Sequence, residues 1–361
     1  MIAKRPIFFV VETGSQAGGV KVIGELANRL ALRGWTVSIW SVNLRETMTS
    51  WFPLNPTVKW VSFFKTGTVS DYVTLANVLK KQSGIKVATF WRTCFATADS
   101  LNDDDLGTYL VQDIESSYAS QRILIDTILS TYQMPLVKFT TSKWVQSKLL
   151  DCQYVGIGLE NHWRPNLKLR RGNTVLACAR ILALKGWDFL CEVARYLDTA
   201  NIKIITYGHN DKLPMFTKTE HHKFPGDNAL RRMYQEAGVF ISTSMHEGFN
   251  LPLLEAMSCA TPCVTTNSDG NMEYVQPGVN CVLENDPYEF ARACAGILKD
   301  QDLGRRLGNE AVKARESYSW NSVLDRIERI FLADPAQVLP SPNLDSADDI
   351  KQTVDISEKV V

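Results

Sequence analysis

Val239-Phe240-Ile241-Ser242-Thr243-Ser244-Met245-His246-Glu247-Gly248-Phe249-Asn250-Leu251-Pro252-Leu253-Leu254-Glu255-Ala256-Met257 is the stretch that decides the fold class. Val239–Ser242 reads as a short buried strand, Gly248 as a permissive turn, and Pro252 suits the first position of the helix that follows. Glu247 therefore falls in the loop past a strand's carboxyl end, and Glu255 in the first turn of the helix, near its positive dipole end. The backbone N–H groups of Asn250 and Leu251 would face anything bound there, and phosphate is the natural guest of such a terminus. A carboxylate beside it is suited to grip a vicinal diol such as a ribose. Two glutamates at this spacing also describe a capped surface helix, and it is the strand, glycine and proline around them that give the pair weight.

The strand–loop–helix unit recurs on both sides. Upstream, Ile7–Val11, Trp35–Trp40, Val58–Phe63, Val87–Phe90, Tyr109–Val111 and Val137–Thr140 read as strands, and Val20–Arg33 as a helix closed by Gly34. Glu160–Asn173 breaks the rhythm with Pro165, Gly172 and four basic residues, Arg164, Lys168, Arg170 and Arg171. Strands then resume at Thr174–Ala179, Ile202–Tyr207, Val264–Thr266 and Cys281–Leu283, and helices close the series at Leu303–Glu316 and Trp320–Leu332. Repetition of this kind predicts α/β architecture, with two Rossmann-like, doubly wound domains facing a central cleft. The expected divisions are 1–160, a linker at 161–173, a second domain at 174–318, a helix at 319–333 and a disordered tail at 334–361.

With 361 residues, 45% of them hydrophobic and 22% charged, the chain is long enough for two cores. A nucleic-acid binder would usually carry a basic face that moves the charge balance, and a formal net charge of zero does nothing to recommend one. The eight cysteines include no Cys-x-x-Cys pair and read as buried free thiols in a reducing compartment. Pro6–Val11 is too short for a signal segment, and no apolar run of about 18 residues suggests a membrane-spanning helix. A cytoplasmic location is expected, with peripheral contact at the inner membrane face left open.

Two further loops carry chemistry. Arg180 and Lys185, in Arg180-Ile181-Leu182-Ala183-Leu184-Lys185-Gly186, follow a strand end. One guanidinium fork and one ammonium point charge there would neutralise a diphosphate without metal. Gly14-Ser15-Gln16-Ala17-Gly18-Gly19-Val20 follows the first strand, where glycines allow close backbone approach to a ligand. A tight strand-to-helix turn explains that loop equally well.

On these residues the chain resembles glycosyltransferase family 4, a family of the GT-B fold. Glu247–Met257 resembles the family's E-G-F-G-L-P-x-x-E-A-M block, Arg180, Lys185 and Gly186 its Arg…Lys-Gly block, and Cys263–Leu283 its V-V-A-T-x-x-G-G-x-x-E-x-V-x-x-G-x-N-G segment. The likeness covers nearly all of the second domain, and in the first only the glycine loop and the layout. It implies a retaining, metal-independent transfer of a hexosyl or deoxyhexosyl group from a UDP-, GDP- or dTDP-sugar to a glycan or lipid-linked acceptor, with no cofactor. By the same resemblance Arg180 and Lys185 hold the diphosphate, Glu255 the ribose and Glu247 the donor sugar, with Gly18, Gly19, Phe249, Asn250 and Leu251 lining the donor site. The resemblance also implies that the final helix crosses back onto the first domain.

Three positions depart from the pattern. Asn250 and Asp269 stand where the family has glycine. Gln112-Asp113-Ile114-Glu115 occupies a strand end where many relatives carry His-Asp, and this run resembles bacterial surface-polysaccharide enzymes. Asp113 reads either as the acceptor-side catalytic carboxylate or as the cap of a helical segment beginning near Ser116. Asn102-Asp103-Asp104-Asp105 reads as an acidic turn between two helices rather than a metal motif, and His221-His222 lacks a third ligand. Trp91 and Trp144 suit either a core or a sugar platform, and His246 either the cleft or the surface. An epimerase or a phosphorylase on the same fold, a dinucleotide-dependent oxidoreductase and a non-catalytic sugar-binding partner are the alternatives. The chain shows no motif for the first two, no Gly-x-Gly-x-x-Gly for the third, and intact glutamates and cations against the fourth.

Overall fold

The first strand, β1 (Ile7–Val11), is buried at all of its positions, as a parallel strand covered on both faces requires. The computed structural model describes residues 4–43, 47–64, 68–166, 172–210, 213 and 220–334. These fall into two units. One comprises the described residues of Met1–Ile157 and Asn321–Val361, the other those of Gly158–Trp320.

In the first unit the chain runs β1, α1 (Gly18–Leu32), β2 (Val37–Asn43), β3 (Lys59–Phe64), α2 (Val69–Leu79), β4 (Ile85–Ala88), α3 (Trp91–Asp99), β5 (Leu106–Val111), α4 (Arg122–Thr131), β6 (Val137–Thr140), α5 (Lys143–Lys148) and β7 (Gln153–Tyr154). The strands form one seven-stranded sheet in the order β3-β2-β1-β4-β5-β6-β7, with every pairing parallel. Ile7 stands opposite both Val37 and Ile85, so strand order reverses between β1 and β4. Val10, Trp40, Leu75 and Leu79 fill one core cluster, and Tyr109, Ile128, Leu136 and Val145 another.

Lys86 on β4 is wholly buried and bonds Asp105 at 2.8 Å and the Ser100 carbonyl at 2.5 Å. The other Asp105 oxygen accepts from the Gly84 N–H. The acidic run Asn102–Asp105 is thus a turn between a helix and a strand, not between two helices, and its last carboxylate is buried because a lysine inside the sheet needs a counter-charge.

The second unit runs β8 (Thr174–Cys178), α6 (Trp187–Thr199), β9 (Lys203–Gly208), β10 (Glu220–Lys223), α7 (Asp227–Glu236), β11 (Val239–Ser242), α8 (Leu251–Ser258), β12 (Cys263–Thr265), β13 (Val282–Leu283), α9 (Pro287–Lys299) and α10 (Gln301–Lys313). Its six strands are again all parallel, in the order β10-β9-β8-β11-β12-β13. The order reverses between β8 and β11, so the loops leaving those two strands flank the switch point where open α/β sheets bind ligands. Val175, Ile241 and Val264 pack against Leu190, Phe290 and Ile297 beneath those loops. The helix expected at Leu303–Glu316 is α10 followed by a 3-10 turn at Ala314–Ser317.

Within the segment expected as linker, Trp163 is fully buried, edge-on to Tyr234 at 5.7 Å, and the Arg164 carbonyl accepts from Gln235. Lys168, Arg170 and Arg171, and residues 335–361 of the expected tail, lie outside the described residues. All eight cysteines are free, and all but Cys178 are buried.

The last helix, α11 (Trp320–Leu332), buries Val323, Leu324, Ile327, Ile330 and Phe331, one apolar stripe at helical spacing. Phe331 packs edge-on against Trp35 and Phe139. Glu328 accepts from the Trp35 indole at 2.6 Å and from Arg33 at 2.7 Å. A helix from the far end of the sequence thereby completes the core of the first unit.

Candidate active site

Gly186 governs the shape of the first loop at the switch point. After β8 the chain passes Arg180, makes a 3-10 turn at Ala183–Lys185 and reaches Gly186 at φ +66°. A Cβ on Gly186 would overlap the Thr243 carbonyl oxygen of the neighbouring loop. That close approach lets the Leu184 carbonyl accept from the N–H groups of both Met245 and His246, at 3.0 and 3.1 Å. The loops after β8 and β11 are thus stitched together. Gly186→Ala should cost at least about 1–2 kcal/mol from the left-handed backbone alone, before the overlap is counted. A melting temperature unchanged by that substitution would contradict this account.

The stitching brings Lys185 and Glu247 together. Lys185 Nζ lies 2.9 Å from Glu247 Oε2 and also donates to the His246 carbonyl at 3.1 Å. Ser244 Oγ donates to the other Glu247 oxygen at 2.7 Å. Both oxygens of this carboxylate are therefore held, and 19% of the side chain stays exposed. The loop after β12 joins from the far side: Glu247 N donates to the Ser268 carbonyl, and Gly270 N to the Glu247 carbonyl, each at 3.0 Å. His246 Nδ1 stands 3.1 Å from Asp269 Oδ2, with the imidazole buried, which removes the surface reading of His246.

The two departures from the glycine pattern share one physical basis. Asn250 is at φ +71° and Asp269 at φ +66°, both in the region that favours glycine. Asn250 uses its side chain to hold the turn, accepting from Leu253 N and donating to Ser242 Oγ. Asparagine tolerates this conformation better than most residues. Leu251 is the first residue of α8 and Pro252 the second, and the helix opens on N–H groups that no helical carbonyl can reach. The Phe249 ring is buried against Tyr274 and Tyr318, both at 5.3 Å, and its carbonyl accepts from the Tyr274 hydroxyl at 3.1 Å.

Glu255 falls in the second turn of α8, not the first. It is buried, and Tyr234 Oη donates to its Oε2 at 3.3 Å, with Tyr207 Oη a further 2.6 Å beyond. Arg180 is half-buried near the loop after β9, where burial first and the Arg180 charge second hold the His209 imidazole below its ordinary pKa. The arrangement supplies two cations and a helix N-terminus for an anion, and a fixed carboxylate beside them.

In the first unit Gly18 and Gly19 open α1, and Gln112 donates to the Gly19 carbonyl at 3.2 Å. Asp113 accepts from Ile114 N at 2.8 Å and from the Tyr118 hydroxyl at 2.7 Å, and the 3-10 turn Glu115–Tyr118 has Ile114, not Asp113, at its cap position. Glu115, which the sequence left unassigned, accepts from Trp91 N at 2.6 Å and so satisfies the start of α3. Burial pushes its carboxyl up to about 8, against the lowering effect of that hydrogen bond. Trp91 packs against Phe90 and Phe95, and Trp144 against the cluster around Val145. His221 is engaged by Thr206 and the Asn210 carbonyl, and His222 by Glu220. Among the described residues no helix is long and apolar enough to cross a membrane.

Residues 160–314 match the family described as glycosyl transferases group 1. That match covers most of the second unit, Gly158–Trp320. A glycosyltransferase of Haemophilus influenzae, itself uncharacterized, is 21% identical over 90% of this chain and 99% of its own length. A second uncharacterized glycosyltransferase, from Methanocaldococcus jannaschii, is 25% identical over 47% of this chain, and the match spans about half of that relative, 49% of its length. Among solved structures, HepE of Anabaena in complex with UDP and glucose superposes with a TM-score of 0.74 at 14% identity, over 90% of this chain and 98% of its own. At that identity the likeness shows the fold, which is GT-B. The group 1 match contains every residue of the Lys185–Glu247 cluster.

Proposed function

We propose that this chain is a retaining, metal-independent glycosyltransferase that moves a hexosyl or deoxyhexosyl group from a nucleotide sugar to a glycan or lipid-linked acceptor, as in bacterial surface-polysaccharide synthesis. The observation that carries the reading is the 2.9 Å contact of Lys185 with Glu247 at the switch point, on the segment matched by the group 1 family. Arg180, Lys185 and the N-terminus of α8 take the diphosphate, whose charge grows as it leaves and which fixed cations stabilise. Glu255 takes the ribose, and Glu247 the sugar, where a carboxylate favours positive charge developing at the anomeric carbon. Asp113 serves the acceptor from the first unit. The UDP bound by HepE supports a UDP-sugar as the first donor to try, with GDP- and dTDP-sugars next.

A thermal-shift panel of these nucleotide sugars tests the reading. A ligand at about 100 times its Kd should add roughly 2.7 kcal/mol to stability. The gain should survive EDTA and be reduced in Glu255→Gln. A gain abolished by EDTA and restored by magnesium would refute the metal-free reading, and no gain with any of them would refute nucleotide-sugar binding.

A further inference from the structure

We propose that Tyr274 is a positioning residue of the nucleotide site: its hydroxyl holds the left-handed turn that starts α8 and so sets the direction in which that helix presents its first N–H groups. The proposal rests on the assignment of the diphosphate to the α8 terminus made above, and goes beyond it by naming what keeps that terminus in shape.

The turn is an unusual way to begin a helix. The residue ahead of the first helical one ordinarily has extended backbone, whereas Asn250 stands at φ +71° and ψ +63°. Glycine adopts such a conformation freely, but a residue with a side chain persists there only where its surroundings hold it. The bond that should draw its carbonyl into the helix is long, 3.4 Å from Leu254 N. The shape of the turn therefore depends on what grips Asn250 from outside α8.

Two grips do so. On the side chain, the Asn250 amide donates to Ser242 Oγ, at the end of β11, at 2.8 Å. On the backbone, Tyr274 Oη lies 2.7 Å from the Asn250 carbonyl oxygen and 3.1 Å from that of Phe249, so one hydroxyl spans two successive peptide groups. The shorter of these has the length of a good O–H···O bond. Tyr274 is itself fixed. It follows the 3-10 turn Gly270–Glu273 in the loop after β12, and its ring is buried against Phe249 at 5.3 Å and Tyr318 at 6.1 Å. Its N–H donates to the Asn271 carbonyl, and its own carbonyl accepts from the Asn280 amide. Burial pushes the hydroxyl well above its ordinary pKa, so the proton it donates stays in place. A rigid donor of this kind need not touch a ligand, because it acts by removing motion that binding would otherwise have to freeze.

The test is Tyr274→Phe, which keeps the ring and its packing and deletes the hydroxyl alone. UDP, GDP and dTDP are titrated by calorimetry well below the melting temperature of both proteins, and phosphorus NMR of the saturated complexes gives a second readout. Whichever of the three wild type binds best should bind the variant about fivefold or more weakly. The resonance of its bound β-phosphorus should also differ between the two proteins. A hydroxyl that served stability alone would lower the melting temperature and leave affinity and resonance where they were, and that result would overturn the proposal. Ser242→Ala releases the other grip on the same turn and should weaken the same nucleotide, which keeps the idea testable should the phenylalanine variant fold poorly. Unchanged affinity in Ser242→Ala would then overturn it, by showing that binding does not depend on the turn being held. No binding of any of the three by wild type would overturn the diphosphate reading, and the role of Tyr274 with it.

Discussion

Asp105→Ala should destabilise the protein by about 3–5 kcal/mol, because it leaves the Lys86 ammonium buried without a counter-charge. The substitution also strips an acceptor from the N–H groups of Gly84 and Asn102 and from the Asn102 amide. Replacing both partners by apolar residues, Lys86→Met with Asp105→Leu, should recover much of the loss, since it removes the unpaired charge itself. Urea unfolding of the two variants checks this, and equal losses in both would mean that the charge is not the origin of the effect. The same pair sets a pH dependence. Burial pushes the Asp105 carboxyl up, but the bonds from Lys86, Gly84 and Asn102 win and hold it below its ordinary value. A carboxyl depressed in the folded state contributes stability that is present above its unfolded pKa of about 4 and lost as pH falls through the folded one.

The second large effect is expected in catalysis. Glu247→Gln should lower turnover by about 10²–10³-fold, the range seen when one fixed electrostatic contact is removed from a transition state. Under the proposed assignment of this carboxylate to the sugar, affinity for the free nucleotide should change little. The amide oxygen can still accept from Lys185, but without the charge that the carboxylate sets 2.9 Å from the ammonium. Ser244→Ala removes only the neutral bond to the other oxygen and should cost less. Turnover measured at saturating donor decides the matter, and a wild-type rate in Glu247→Gln would take this residue out of the chemistry.

Strand–loop–helix periodicity made the α/β class legible, and the block from Val239 to Met257 made the loop of Glu247 legible within it. Boundaries moved by a residue or two: Phe90, read as the end of a strand, is the cap of α3, and Glu255 lies one turn deeper than expected. What periodicity could not convey was pairing across the chain. Nothing near Asn102–Asp105 announces that Lys86 waits beneath it, and nothing around Glu247 announces Ser244 as a second holder of its carboxylate. Asn250 and Asp269 stood out as departures, but only their positive φ values explain why glycine would have been at home there. Phe249 was expected to line the donor site by its place in the Glu247–Met257 block, whereas burial puts its ring in an aromatic cluster.

The first unit is interrupted in sequence. Its sheet is built from residues before 158, yet the helix that seals Trp35 and Phe139 begins only at Trp320. During synthesis, at roughly 5–20 residues per second, its seven strands are therefore made many seconds before their last helix exists. Through that interval Trp35 lacks both its Phe331 contact and its Glu328 acceptor. The intervening unit, contiguous from 158 to 320, can complete its core first. Order of translation and order of folding would then be reversed, with the earliest-made half of the molecule finishing last.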